Sequence, residues 1–279
     1  MMTSYSKRLT LLPALAAFAL CGAAAHGQVI FAETFDGLTA GNLDGQAGWA
    51  YTGGNDNGTA DHATVAVGGL SYSSGTVSHP AGTNRLSLFG GGESRFALTL
   101  PDTIAANETF YVSFLLNHVS GDHFTWLGIG GGALDQASSV SFALQSSAHR
   151  TRVIDAGGGT SQQSGGGAGL IQGQTRLVVA EIFFGGDTAN STMTMYLDPT
   201  SVVQGENTAI HTDAGRNIGV TELNTLWMRK GASAGEANID QIRIGESWDA
   251  VVIPEPSTYA ALFGLLAIGF VAWRRRRQA

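Results

Sequence analysis

Cysteine is almost missing from this chain: the single one, Cys21, lies inside an apolar N-terminal run. With that run set aside, neither a disulfide framework nor a cysteine metal centre is available. Basic charge is scarce too. Between Gln28 and Ala250 there are nine Lys and Arg against 21 Asp and Glu, a balance near -12. A field of that sign repels phosphate backbones, which argues against nucleic acid as a partner. Charged residues of all kinds make up 13%, about half the usual share, so the Lys, Glu and Arg that coat long solvated helices and coiled coils are lacking. At 43% hydrophobic, the chain is also too apolar for a disordered acidic segment.

The remaining basic residues sit beside two apolar runs at the ends. Lys7 and Arg8 precede Leu9 to Ala25, which carries no charge and closes on Ala23, Ala24, Ala25 and Gly27. That is the three-part layout of a secretory signal peptide over residues 1–27, with cleavage after Ala25 or Gly27. A lipoprotein signal would need a small residue before the cysteine, and Leu20 stands there. At the other end, Tyr259 to Trp273 is an uncharged run of 15 residues followed by Arg274, Arg275, Arg276 and Arg277. As a helix it covers roughly 22 Å, short of a hydrocarbon core of about 30 Å. Aromatic ends at Tyr259 and Trp273 and snorkelling arginines make up the difference, so residues 259–279 read as a single transmembrane helix with a cytoplasmic basic tail. Between body and helix, residues 251–258 form a linker holding Pro254, Glu255 and Pro256.

The ordered triplet of Pro254-Glu255-Pro256, a short apolar helix and a terminal Arg run resembles the PEP-CTERM sorting signal of Gram-negative bacteria that make extracellular polysaccharide. The resemblance implies export by way of signal peptidase, an inner-membrane intermediate read and cut by the transpeptidase-like exosortase, and delivery to the cell surface, outer envelope or extracellular matrix. It implies no chemistry.

In residues 28–250 the dominant pattern is alternation with period two, broken by Gly-rich turns. Phe110, Val112, Phe114 and Leu116 share one face, as do Val140, Phe142 and Leu144, and Met193, Met195 and Leu197 opposite Thr192, Thr194 and Tyr196. Further strands are predicted at 29–35, 63–67, 85–89, 95–100, 123–129, 176–184, 225–229 and 239–244. Many short strands with no convincing amphipathic helix between them give an all-β fold, an antiparallel jelly-roll β-sandwich of one domain. Gly triplets at Gly90, Gly130, Gly157 and Gly165 are too irregularly spaced for a repeat, and Ala156 to Gly169 reads as a low-complexity loop.

Three segments carry a second resemblance. Leu177 to Ile182, Met193 to Pro199, and Ile239-Asp240-Gln241-Ile242-Arg243-Ile244-Gly245-Glu246-Ser247-Trp248 are similar to the last strands of concanavalin A-like lectin/glucanase domains, over about 75 residues. In the last of these Ile242 and Ile244 share a face, and strict alternation puts Asp240 on the same side, where it needs a partner if buried.

Several motifs resemble catalytic ones without their context. Gly231-Ala232-Ser233-Ala234-Gly235 fits a nucleophile elbow, but a strand follows and no His comes after Ser233, so it reads as a hairpin turn. Gly128-Ile129-Gly130-Gly131-Gly132-Ala133 fits the dinucleotide fingerprint with no crossover helix behind it. Glycoside hydrolysis needs two carboxylates about 5 to 9.5 Å apart. The Glu-x-Asp-x-x-Glu pattern of the glucanases is absent, since Phe183 follows Glu181 at the second position and Ile242 follows Asp240.

Binding residues are the remaining question. Asn55, Asp56, Asn57, Thr59 and Asp61 form an oxygen-rich loop that could contribute to a Ca²⁺ site at Asp56 and Asp61, although Asx-rich turns are the commoner explanation of such a loop; no other cofactor is expected. His118, Asp122 and His123 cluster near a turn. A sugar needs an exposed aromatic face beside polar side chains, and Trp49 and Tyr51 are the candidates, against a role as a plug at the edge of the sandwich. Trp126, Trp227 and Trp248 lie in or beside strands and read as core. The expectation is a surface-sorted, non-catalytic protein of the envelope or extracellular polysaccharide matrix with a role in glycan binding or adhesion; the alternatives are a divergent polysaccharide hydrolase or lyase and a structural matrix component without a ligand.

Overall fold

The computed structural model describes residues 27–53, 62–90, 92–121, 124–131, 138–145, 148–154, 160–166, 171–231 and 235–253, and Arg274. Within these the fold is all-β, with every strand pairing antiparallel. One sheet has nine strands. Its order is β16 (His211–Arg216), β15 (Ser191–Leu197), β14 (Thr175–Phe184), β9 (Glu108–Gly121), β18 (Gly235–Gly245), β7 (Asn84–Leu88), β4 (Ala63–Val67) and β2 (Gly41–Asn42), with β1 (Val29–Glu33) also on β18. The other has seven strands, β13 (Thr160–Gly166), β12 (Ala148–Ile154), β11 (Ser139–Gln145), β10 (Phe124–Gly130), β17 (Glu222–Lys230), β8 (Ser94–Ala105) and β3 (Ala50–Gly53). A hairpin of β5 (Tyr72–Ser74) and β6 (Val77–His79) stands apart.

Alternation sets which side chains meet between the sheets. Phe110, Val112, Phe114 and Leu116 of β9 face Phe96 and Leu98 of β8, Leu127 and Ile129 of β10 and Val140 and Phe142 of β11 in one buried cluster. Phe114 and Phe142 stack across the gap with centroids 5.7 Å apart. At about 25 cal/mol per Å² of apolar area, burial on this scale is the main stabilising contribution.

A second layer covers the centre of the outer face of the nine-stranded sheet. The short helix α1 (Trp248–Val252) starts at Ser247, whose Oγ accepts from the Ala250 backbone N–H at 3.3 Å. Its Trp248, Val251 and Val252 pack with Tyr72 and Val77 of the hairpin onto Leu115, Leu177 and Val179. Trp248 meets the Tyr196 ring edge to face at 4.9 Å. The expectation that it is a core residue holds, in this outer layer.

Strict alternation fails at one place in β18. Register slips between Asp240 and Arg243, and Gln241 takes φ 50°. The bulge leaves Ile239, Ile242 and Ile244 all in the inter-sheet core and turns Asp240, opposite Leu115, to the outer face. The reading that put Asp240 on the Ile242 side is therefore corrected.

Two other expectations change. Residues 160–166, read as part of a loop, form β13 and pair with β12 in the register Thr151 to Gln163. Ala232 to Ala234, read as a hairpin turn, lie outside the described residues, and the strands on either side, β17 and β18, are not a hairpin pair but belong to different sheets. The residues expected to form a signal peptide, 1–27, and a transmembrane helix, 259–279, lie outside the described residues, apart from Gly27 and an exposed Arg274. Among the described residues no helix is long and apolar enough to cross a membrane.

Candidate functional site: the outer face of the seven-stranded sheet

The side chains of the seven-stranded sheet that point away from the core include two adjacent cross-strand rows that carry aromatic and basic residues. One runs Arg152, Ser141, Gly128, Trp227, Ala97 and the other Ala143, Trp126, Arg229, Arg95. Both follow from period two: Leu226 and Met228 point into the sandwich, so Trp227 and Arg229 point out. Small residues make room for the indoles. A Cβ on Gly128 would lie 2.4 Å from Trp227 Cε2 and Cζ2, so the Trp227 ring rests on the bare backbone of β10. Gly128 was noted in the sequence only within an apparent nucleotide fingerprint, and its role is to receive this ring.

Trp126 and Trp227 are 1% and 3% exposed, forming with Ala97 and Ala143 a cluster separate from the inter-sheet core. Their burial was expected; their place outside the sandwich core was not. Guanidinium groups lie around them. Arg152 Cζ is 5.7 Å from the Trp126 ring centroid. Glu93, nearly buried, accepts from Arg95 Nε at 2.6 Å and from Arg229 Nη2 at 2.5 Å. Arg95 and Arg229 keep 28% and 21% of their side chains exposed, so the accessible layer is guanidinium and the indoles are its floor. Arg152 makes no ion pair among the described residues, and its Nε is buried without a hydrogen-bond partner. Burial first, then the charges of Arg229 and Arg95, lowers its pKa from the ordinary arginine value.

These four charged residues were missed in the sequence. The signal was Leu226-Trp227-Met228-Arg229, whose alternation puts a Trp and an Arg on one face. Bringing Arg95 and Arg152 beside them required the strand order.

The sugar-stacking candidates fall elsewhere. Trp49 is 1% exposed within the main core, and its Nε1 donates to Glu33 Oε2 at 3.3 Å, so its ring offers no face to a ligand. Tyr51 is half-buried, tilted against Phe96 at 5.5 Å. The Ca²⁺ candidates Asp56 and Asp61 lie outside the described residues, as do Asp122, His123 and Ser233. His118 is buried, with Nε2 2.7 Å from the Gly121 carbonyl. Among the described residues no group of three His, Cys, Asp or Glu is placed to hold a metal.

A second polar cluster lies under the hairpin on the opposite face. Asp240 is fully buried, its Oδ2 accepting from Leu70 N–H and its Oδ1 from Gln241 N–H, both at 2.7 Å. The Gln241 amide donates to the carbonyls of Pro80 at 2.6 Å and Leu70 at 3.3 Å, which leaves its Oε1 to accept from His79 Nδ1 at 3.0 Å. Burial pushes Asp240 up to about 7 and His79 down to about 4. The cluster is closed over by β5, β6 and α1, and its geometry is that of a clasp between hairpin and sheet.

At the C-terminal end of α1, Ile253 N–H bonds to the Asp249 carbonyl and Arg243 Nη1 donates to the Ile253 carbonyl at 3.2 Å. A profile of the PEP-CTERM protein-sorting motif matches residues 252–277. The chain carries a PEP-CTERM sorting signal. That signal implies an exported, surface-sorted protein processed by exosortase. Its Pro254 follows directly on the docked end of the β-sandwich; Pro254, Glu255, Pro256, Tyr259, Trp273 and Arg275 to Arg277 lie outside the described residues.

No curated protein matches the chain. Among solved structures, the receptor binding domain of botulinum neurotoxin D is similar at 15% identity over 68% of this chain and 46% of its own, with a TM-score of 0.41. The binding domain of botulinum neurotoxin serotype G gives 8%, 78%, 48% and 0.42, and that of Paraclostridial Mosquitocidal Protein 1 gives 9%, 78%, 48% and 0.43. The chain thus spans about half the length of the structures it matches.

Proposed function

We propose that this surface-sorted protein makes non-catalytic contact with extracellular polysaccharide through the outer face of its seven-stranded sheet. The observation that carries the reading is the asymmetry of the two outer faces. The centre of one is covered by α1 and the β5–β6 hairpin, whereas the cluster on the other is built, among the described residues, solely from the sheet's own Ala97, Trp126, Ala143 and Trp227 under a partly exposed guanidinium layer. Such a face supplies breadth and hydrogen-bond donors, the two things an extended sugar chain needs.

A binding role is favoured over hydrolysis by the carboxylates. Glycosidases place two beside the scissile bond, one of them free to exchange a proton. On this face the described residues offer Glu93, which is held between two guanidiniums. The test is a glycan-array screen of the full chain in detergent. Saturable binding to a defined set of glycans is expected; a folded protein that binds none of them leaves a structural matrix role and overturns the reading.

A further inference from the structure

The charge arrangement on this face narrows the ligand. Glu93 is shared by Arg95 and Arg229, and Arg152 lies over the Trp126 ring with no carboxylate of its own among the described residues. The buried, unpartnered Nε of Arg152 and the repulsion from Arg229 and Arg95, offset only in part by a Glu93 already shared between those two, are unfavourable in the free protein, and an arriving anion relieves both. The planar fork of Arg donates two parallel hydrogen bonds to an oxyanion, which fits a carboxylate or sulfate carried on a sugar ring.

We infer that Arg152, with Arg95 and Arg229 beside it over the floor of Trp126 and Trp227, forms a binding site for the oxyanion groups of an acidic polysaccharide. The inference rests on the proposed polysaccharide contact and adds the ligand's charge. The body of the protein is strongly negative, so attraction is confined to contact range, within a Debye length of about 8 Å at physiological salt. Elsewhere on the surface the same field repels a polyanion, which makes the site selective for this face.

The test is affinity electrophoresis of the full chain in detergent through gels holding polygalacturonate, dextran sulfate or neutral dextran. The wild type is expected to be retarded by polygalacturonate, dextran sulfate or both, the two arms separating carboxylate from sulfate recognition, and not by dextran. Arg152→Gln should weaken the retardation by about ten-fold. Arg85→Gln, an equal charge change at a residue bonded to the Val67 carbonyl on the other sheet, should leave it unchanged. Arg152→Lys keeps the charge without the fork and should fall between, which serves if the Gln variant does not fold. Retardation by dextran as strong as by the polyanions, unaltered in Arg152→Gln, overturns the anionic site while leaving polysaccharide contact intact. No retardation by any of the three overturns the anionic site, and the glycan array then decides the wider reading.

Discussion

The Asp240, Gln241 and His79 clasp makes stability depend on pH through two terms of opposite sign. Folded Asp240 keeps its proton up to about pH 7, whereas an unfolded Asp releases it near 3.8. Between those values the native state holds the extra proton, so stability present at low pH is lost as pH rises through the window. At about 1.4 kcal/mol per unit the total is about 4 kcal/mol. Folded His79 stays neutral down to about pH 4, against 6.5 unfolded, so its contribution is present above 6.5 and lost as pH falls, about 3 kcal/mol in all. Neighbouring charges are secondary: Arg243 lowers His79 further, while Asp36 raises and Arg85 lowers Asp240. Between pH 4 and 6.5 the two slopes nearly cancel, and the wild type should be almost flat in urea unfolding monitored by tryptophan fluorescence. Removing either partner exposes the other. Asp240→Asn should gain stability with rising pH by about 1.4 kcal/mol per unit, and His79→Asn, which preserves a donor to Gln241 Oε1, should lose stability at a similar rate. Asn at 240 also leaves Leu70 or Gln241 N–H without an acceptor, an offset of about 1 to 3 kcal/mol that leaves the slope alone. Equal slopes in the two variants, or a flat profile in both, would refute the assignment.

Gly128→Ala should force the Trp227 ring off β10, lowering stability by about 1 to 3 kcal/mol and changing the indole emission, because the new methyl would lie 2.4 Å from two ring carbons. Near-ultraviolet circular dichroism and urea unfolding check it. Trp49→Ala should cost about 3 to 5 kcal/mol in the same unfolding assay yet leave the polygalacturonate affinity of the folded protein unchanged, since the ring is buried away from the outer face. A selective loss of affinity in Trp49→Ala with stability preserved would return Trp49 to the binding surface.

Local alternation was a strong guide where a strand has one buried side. Ala63–Val67 and Ser139–Gln145 were legible to the residue, while the long strands β8, β9 and β18 were found but cut short by four or five residues at one end. Where the buried side carries little apolar weight, it failed. Residues 160–166, Thr-Ser-Gln-Gln-Ser-Gly-Gly, have no hydrophobic pattern and are a strand because β12 offers them a ladder. The bulge at Asp240–Gln241 is invisible to a rule of period two, since Gln241 shows no sign of a left-handed backbone until the hairpin carbonyls that hold its amide are in place.

The amino-acid sequence by itself determined the chain's destination and its fold class. An ordered sorting motif is contiguous, and strand periodicity is local, so both are read without knowing what lies nearby. The candidate site is a different kind of object. Arg95, Trp126, Arg152 and Trp227 come from β8, β10, β12 and β17, and they share a surface only because the strand order brings those four segments to one sheet. Trp49 and Trp126 are equally aromatic and equally buried, and tertiary structure alone put one in the inter-sheet core and the other under a layer of guanidinium groups.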